Sequence, residues 1–291
     1  MVDKLELPLS IVIATIGNRD LKPTLDSISK SSSKPMEVLL CVPSINSSNL
    51  RKYENNGTRI IICNEKGQVK QRIEGFKRAK GNYVLQLDDD IILDKYCLSE
   101  LYRAINILGK DCAISPQYYD YDSNEQFSSF TPKQILLFPQ IFYYLLNGKK
   151  GYVEGSISKS GINMGIKALK TDYFSSEWIS GGCILHHREN LVIENYIPFT
   201  GKAYAEDIIH SYRLSQNNIK LFIIKKAKIY FKPYNNSACY IKTIFDYINS
   251  IKKSYYAASL YGASSARYRI AMYYYLVNVI VSKVIRIITP L

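Results

Sequence analysis

Short apolar runs alternate with amphipathic helical segments over the first hundred residues of the chain. Four of these runs contain few polar positions, as is typical of strands whose two faces are both covered by helices. The predicted strands are residues 9–15, 37–42, 59–63 and 83–87. Helices are predicted between them, over residues 21–31 and around Val69, Ile73 and Phe76, which recur at i, i+4 and i+7. Parallel strands separated by helices predict a doubly wound α/β sheet.

The pattern becomes less regular after residue 110. An apolar stripe from Leu98 to Leu108 predicts one more helix, whereas residues 111–170 mix Tyr, Ser, Gly and Lys without a clear period. Residues 149–170 are rich in Gly and Ser and predict a long loop, which in a compact domain is usually functional or disordered. The later predicted elements are a loop leading into a strand at 178–185, a helix at 204–214, and strands at 221–224 and 228–231.

The end of the chain differs in kind. An amphipathic helix with lysines beside its stripe is predicted over residues 241–255, and a strongly apolar, aromatic helix over 267–288. A membrane-spanning helix needs about 20 mainly apolar residues, and Asn278, Lys283 and Arg286 interrupt this one. We therefore predict a basic helix that lies on an anionic membrane surface. The alternative is a helix packed on the protein's own core or on a second subunit of a homo-oligomer.

The chain is strongly basic, with 38 Lys and Arg against 25 Asp and Glu and a net charge of +13. Such a balance attracts nucleic acid, anionic lipid or phosphorylated small molecules. The basic residues are dispersed and no stacking-aromatic motif for single strands is present, which disfavours nucleic acid as a partner. Six scattered cysteines without a C-x-x-C pair predict reduced, buried thiols. The N-terminus lacks the order of a signal peptide, so we expect a cytoplasmic protein.

Three consecutive carboxylates, Asp88, Asp89 and Asp90, follow the fourth predicted strand directly. Two like charges ~4 Å apart repel by roughly 4 kcal/mol at an effective dielectric near 20. A divalent cation would relieve this repulsion, and hard carboxylate oxygens suit Mg2+ or Mn2+. Open sheets bind ligands at the carboxyl ends of their strands, where Thr15 and Arg19 also fall. These residues predict a cation and phosphate site; the alternative is a solvated acidic turn that caps the next helix.

Four ordered segments carry a resemblance to a known family. They are Thr15-x-x-x-Arg19, Asp88-Asp89-Asp90, Trp178-x-x-Gly181-Gly182 and Glu206-Asp207. Over roughly residues 7–233 the set resembles the family 2 glycosyltransferases of the bacterial surface-polysaccharide type, which have a GT-A fold. The resemblance implies a GT-A-like doubly wound mixed sheet, to which the pattern of the tail adds a C-terminal helical, membrane-associating extension. The implied domains are a glycosyltransferase domain at 1–235, divided near residue 110 into nucleotide-binding and acceptor halves, and C-terminal helices at 236–291.

The resemblance also implies roles for the matching residues on the donor side. Thr15 and Arg19 would line the base pocket, and Asp88 would face the nucleoside, with Asp89 as a further donor-binding residue. Asp90 would bind the Mn2+ or Mg2+ that bridges the diphosphate of the sugar nucleotide.

The resemblance implies that Gly181 and Gly182 also belong to the donor-binding residues and let the backbone approach the sugar or the acceptor. Asp207, with Glu206, would be the base that deprotonates the acceptor hydroxyl. A single base opposite the leaving group gives one displacement, so we predict inversion at the anomeric carbon. A helix start stabilises an ionised carboxylate, as a base requires. The alternative for this acidic pair is simple helix capping.

One departure from the family concerns the cation. Many relatives carry a histidine after the late strand that completes the metal site, and residues 229–233 contain none. Either Asp90, phosphate and water form the metal shell alone, or Lys232 supplies the positive charge directly.

Other polar residues are predicted to be structural or solvated. Lys70 and Arg72 could contact phosphate, but a solvated helix face is the default interpretation. We treat His186, His187 and His210 as structural, because adjacent strand residues point to opposite faces and cannot easily share a metal.

The sequence thus predicts an inverting glycosyltransferase that moves one sugar from a nucleotide-sugar donor to a glycan acceptor linked to polyprenyl diphosphate. It would act in surface-polysaccharide (O-antigen or capsule) synthesis as a peripheral protein at the inner face of the plasma membrane. The alternatives are a catalytically inactive GT-A scaffold that recruits partners at the membrane, and a basic nucleic-acid-binding protein.

Overall fold

The computed structural model describes residues 4–128, 131, 137–199, 203–231 and 240–288, with the backbone alone for 240–247 and 282–288. The strands within this part of the chain are β1 (Leu5–Ala14), β2 (Ser33–Pro43), β3 (Thr58–Cys63), β4 (Tyr83–Asp88), β5 (Ile91–Leu93), β6 (Cys112–Asp120), β7 (Tyr173–Ser176), β8 (Cys183–His187) and β9 (Lys220–Phe231). The α-helices are α1 (Lys22–Lys30), α2 (Gln68–Arg78), α3 (Cys97–Leu108), α4 (Pro139–Asn147), α5 (Glu206–Gln216), α6 (Tyr240–Leu260) and α7 (Ser265–Ile288). All the strands join one mixed sheet in the order β3-β2-β1-β4-β8-β6-β9-β5, with β7 paired to β9.

The first four strands of this order are parallel and confirm the predicted doubly wound sheet. At its carboxyl edge, Ala14 of β1 pairs with Cys41 of β2 and with Asp88 of β4. The residues that follow β1 and β4, Thr15 and Asp89, therefore lie side by side at this edge. This register gathers the predicted donor-site residues at one edge of the sheet.

Helix α2 packs closely on the parallel half, with the predicted apolar stripe facing the sheet. A Cβ at Gly75 would stand 2.4 Å from the side chain of Val12 and 2.6 Å from Sγ of Cys41, so only glycine allows this approach. The close contact also buries the polar residues on the same helix face, including Arg72, which is 1% exposed. The predicted solvated face is therefore wrong for Arg72.

The other half of the sheet is less regular than the first. Strand β8 runs antiparallel to β4 and brings the loop before it to the edge where β4 ends. The two predicted late strands are one strand, β9, whose pairing with β6 shifts in register between Pro116 and Gln117. Sequence analysis missed β6, because its Pro116 and its polar second half hide the apolar start.

Cysteines belong to the core, as predicted. The free, buried thiols are those of Cys41, Cys63, Cys97, Cys112 and Cys183. The remaining Cys239 lies outside the described residues.

The chain divides into two compact units. The first comprises Met1–Phe127 and Leu169–Pro233 and holds the sheet, and the second comprises Ser128–Ala168 and Tyr234–Leu291. The predicted division was a single boundary at residue 235. The two compact units differ from it in that residues 128–168 group with the C-terminal helices.

Aromatic packing explains why the middle segment belongs to the second unit. Within that unit, Phe142 of α4 is fully buried and stacks on Tyr274 of α7, with ring centroids 5.9 Å apart. In the predicted 149–170 loop, a Cβ at Gly161 would stand 2.4 Å from the Cα of Ala258, so the loop lies directly on α6. Among the described helices, none is both long and apolar enough to cross a bilayer.

Candidate active site

Three parts of the first unit meet at the carboxyl edge of the parallel strands: the end of β4, the Gly181–Gly182 turn before β8, and the start of α5. The backbone N–H of Asp88 donates to the carbonyl of Gly182 at 2.7 Å. A Cβ at Gly181 would stand 2.6 Å from Oε2 of Glu206. Both glycines therefore bring backbone close to acidic side chains, and the structure brings together predicted site residues that are far apart in sequence.

Thr15, Arg19 and two of the three acids form a connected group at the donor side. The hydroxyl of Thr15 donates to Oδ2 of Asp89 at 2.6 Å. Nη1 of Arg19 lies 2.9 Å from Oδ1 of Asp89 and 2.7 Å from Oδ2 of Asp90. Burial raises the pKa of Asp89, the charges of Asp90 and Asp88 add to the rise, and Thr15 and Arg19 oppose it. The Asp90 side chain is 42% exposed and is therefore the most exposed of the four side chains in this group.

Asp88 is held by a different set of donors. Its Oδ1 accepts hydrogen bonds from Nε2 of Gln68 at 2.9 Å and from Nη2 of Arg72 at 2.6 Å. Its Oδ2 lies 3.2 Å from the position that a Cβ on Gly182 would take. Asp88 therefore directs one oxygen into the protein and the other toward the glycine turn.

The adjacent acids Glu206 and Asp207 lie in different surroundings. Glu206 is buried, accepts a short hydrogen bond from the hydroxyl of Tyr196, and lies 2.9 Å from Nη1 of Arg72, outside ideal hydrogen-bond geometry. Asp207 keeps part of its surface open to solvent. Its backbone carbonyl accepts from the hydroxyl of Ser211 at 2.7 Å, and that hydroxyl also accepts from the N–H of Ile179. This link fixes α5 against the loop that carries the glycines.

The pKa of Asp207 is raised toward neutral pH. Burial raises the pKa of Asp207 to about 7, and the negative charge of Glu206 adds to the increase. Backbone N–H groups at the helix start and the charge of Arg72 oppose the shift. A carboxylate with a pKa near the working pH is suited to accept and release a proton.

Two of the three histidines lie beneath these acids. His186 and His210 are buried with ring centroids 5.4 Å apart, and His210 stacks on Tyr196 at an angle of 3°. Burial lowers the pKa of His210 to about 3 and that of His186 well below its usual value, so both rings are neutral. Their burial agrees with the structural role predicted for them.

The acids at the donor side fit a hard divalent cation only in part. Among the described residues, no three His, Cys, Asp or Glu side chains converge as a metal site. Asp90 offers a carboxylate oxygen, and oxygen atoms of a diphosphate and water are the ligands that Mg2+ or Mn2+ would add. The alternative involving Lys232 lies outside the described residues.

Three contacts at this site were not predicted from the sequence: those of Arg72 and Gln68, which hold Asp88, and that of Tyr118, whose hydroxyl would stand 3.1 Å from a Cβ on Gly182. A usable signal existed for Arg72, because it lies three residues after buried Val69, on the face that packs on the sheet. Lys70 pairs with Glu65 and is half-buried.

Comparison with solved structures shows the fold. GalNAc-T7, solved with UDP, GalNAc and Mn2+, matches with a TM-score of 0.56 and 16% identity over 84% of this chain and 48% of its own. S. aureus TarS matches with a TM-score of 0.49 and 16% identity over 84% of this chain and 39% of its own. The chain thus spans less than half the length of either protein. The likeness to GalNAc-T7 confirms the GT-A-like mixed α/β fold.

Comparison by sequence gives the family. No curated protein matches the chain. The family model for glycosyl transferase family 2 matches residues 10–174, which include Thr15, Arg19 and the three acids Asp88–Asp90 and make up more than half of the chain. The chain belongs to glycosyl transferase family 2.

Proposed function

We propose that the protein transfers a sugar from a nucleotide-sugar donor to an acceptor hydroxyl. The observation that carries the proposal is that Asp88, at the end of β4, and Asp207, at the start of α5, both lie beside the Gly181–Gly182 turn, with Asp90 two residues after Asp88. Glycosyl transfer needs a stabilised leaving diphosphate and a hydroxyl made nucleophilic. The two sides of this site supply one requirement each.

The donor side would hold the nucleotide diphosphate. The guanidinium of Arg19 places a positive charge next to Asp90, and the hydroxyl of Thr15 holds Asp89 in place by a hydrogen bond. A divalent cation held by Asp90 would act as a Lewis acid on the leaving diphosphate when bound. We infer UDP as the first nucleotide to test, since GalNAc-T7, of the same fold, was solved with UDP and Mn2+.

Asp207 is the proposed general base, and Glu206 its structural neighbour. Glu206 is committed to the buried Arg72 and Tyr196, whereas Asp207 is partly open and has its pKa raised to about 7. A single base acting from the face opposite the diphosphate gives inversion at the anomeric carbon. General-base catalysis of this kind contributes about 10²- to 10⁴-fold in rate.

The test is release of UDP from a panel of UDP-sugars with Mn2+ and candidate glycan acceptors, comparing the wild type with D207N. We expect UDP release by the wild type and at least about a 100-fold loss in D207N, which keeps the shape of the side chain. Full activity in D207N would refute the base assignment. A folded wild type that binds no nucleotide would favour the inactive scaffold.

We further propose that the acceptor is a glycan linked to a polyprenyl diphosphate in surface-polysaccharide synthesis, and that the second unit binds an anionic membrane surface. Helix α7 is apolar on two sides. Tyr268 and Met272 are buried, whereas Ile270, Tyr273 and Val277 are exposed by 55%, 51% and 51%. A helix with a second, exposed apolar face needs a further apolar partner for that face. The net charge of +13 complements anionic lipid.

Vesicle co-sedimentation tests the membrane proposal, with phosphatidylglycerol-containing and neutral vesicles compared. The triple variant I270S/Y273S/V277S should lose binding to the anionic vesicles. The matched control is I45S, which replaces an 85% exposed isoleucine of the first unit and should bind normally. A wild type that binds neither vesicle but elutes as a dimer, which the triple variant disrupts, would assign the surface to a second copy of the chain.

A further inference from the structure

A single buried guanidinium joins the two sides of the candidate site. Arg72 lies on the sheet-facing side of α2, and its side chain is 2% exposed. We propose that Arg72 is a positioning residue, which holds the donor-side Asp88 and the start of the helix that carries Asp207 in one fixed geometry. This inference rests on the proposed glycosyl transfer.

The contacts of Arg72 reach three separate segments. Nη2 donates to Oδ1 of Asp88 at 2.6 Å and to the carbonyl of Gly181 at 3.1 Å. Nη1 lies 2.9 Å from Oε1 of Glu206. The end of β4, the glycine turn and the first residue of α5 are therefore all tied to one rigid, planar group.

The contact with Asp88 decides how that carboxylate is presented. Gln68 and Arg72 together occupy Oδ1, and this leaves Oδ2 directed at the glycine turn. The Gly181 carbonyl is fixed in the same way, because Gln86 and Arg72 both donate to it. Without Arg72, the acid and the turn would each lose a charged donor that sets their orientation.

The contact with Glu206 fixes the acceptor side. Two buried charges lie together, and Tyr196 donates to the carboxylate as well. Burial alone would lower the pKa of Arg72, but the charges of Glu206 and Asp88 outweigh it and raise that pKa, so the guanidinium stays charged. Because Glu206 is the first residue of α5, its ion pair with Arg72 fixes the start of that helix and therefore the position of the next residue, Asp207.

The charges that act on Asp207 come from the same pair. Glu206 on its own helix raises the pKa of Asp207, and Arg72 on α2 lowers it. Replacing both members removes two opposing effects, whereas replacing Arg72 alone removes only the one that favours the ionised base. Geometry and charge can therefore be separated by choice of variant.

The experiment compares R72K, R72M and R72M/E206Q by UDP-release kinetics, a pH profile of kcat/KM, thermal unfolding, and calorimetry with UDP and Mn2+. The matched control is R78M, which replaces an arginine on the same helix that is 44% exposed and pairs with Glu74. It should leave all four measurements unchanged.

Lysine keeps the charge but cannot span three acceptors, so R72K should lower kcat by about 10- to 100-fold, as expected for misplaced groups. R72M should move the lower limb of the pH profile to higher pH. The double variant has no unpaired buried charge and should fold. The lower limb of its pH profile should lie at lower pH than in R72M, because the charge of Glu206, which raises the pKa of Asp207 by more than Arg72 lowers it, is also removed. Its kcat should nevertheless stay low, and its UDP affinity should fall about tenfold.

Wild-type kcat and UDP affinity in R72K, or recovery of both together with the melting temperature in R72M/E206Q, would overturn the proposal. The failure of the underlying function looks different. It would appear as a folded wild type that releases no UDP from any donor, whatever the arginine variants do.

Discussion

The raised pKa of Asp207 predicts that D207N is more stable than the wild type above neutral pH. The pKa moves from an ordinary 3.8 to about 7. Because the folded state binds the proton more tightly, stability from this group is present at low pH and is lost as pH rises from about 4 to 7. At about 1.36 kcal/mol for each pH unit, this corresponds to a cost of about 4 kcal/mol at pH 8. Partial solvent access reduces the expected cost to about 2–4 kcal/mol.

Urea unfolding of the wild type and D207N at pH 4.5 and pH 8 measures this cost directly. Asparagine keeps the side-chain oxygen that accepts from the N–H of Ile208, so local geometry is retained. We expect D207N to gain about 2–4 kcal/mol over the wild type at pH 8 relative to its difference at pH 4.5. Equal differences at the two pH values would show that the carboxyl has an ordinary pKa, and the argument that singles it out as the base would fail.

Two further outcomes follow from the site geometry. G181A should lose at least about tenfold in kcat and roughly 1–3 kcal/mol of stability, because its Cβ would meet the buried Glu206 at 2.6 Å. The control G57A, whose Cβ would meet nothing closer than 3.7 Å, should lose neither activity nor stability. UDP-release kinetics and urea unfolding measure the two effects. D90N should weaken the dependence of UDP binding on Mn2+ by about tenfold or more, as measured by calorimetry, and unchanged Mn2+ dependence would remove Asp90 from the cation site.

The donor side was predictable because it depends on local pattern and on one topological rule. Apolar runs fixed β1 and β4, and parallel pairing then required Thr15 and the three acids to share an edge. The Gly181–Gly182 turn was predicted as a loop because the strand that follows it was visible in the pattern. Their individual roles stay predictions.

Contacts between distant segments were not predictable in the same way. Helical spacing places position 72 on the buried face of α2. No local sequence pattern indicates that its side chain contacts Asp88, Gly181 and Glu206. Similarly, the placement of residues 128–168 in the second unit depends on aromatic packing between α4 and α7 across a long stretch of chain. Such burial of charge or of aromatic surface is decided by tertiary structure.

The neighbouring acids Glu206 and Asp207 show how environment assigns chemistry to identical groups. Both are carboxylates at the start of one helix, and the sequence alone gives them the same capping and dipole effects. Arg72 and Tyr196 bind one of them, and its remaining charge then raises the pKa of the other. The charge of Glu206 is therefore part of what raises the pKa of Asp207 toward neutral pH, because a glutamine at position 206 would leave that pKa closer to the ordinary value of an aspartate. Of two adjacent acids, one is held in a buried ion pair and the other has its pKa raised, and this difference is the basis for proposing Asp207 as the base.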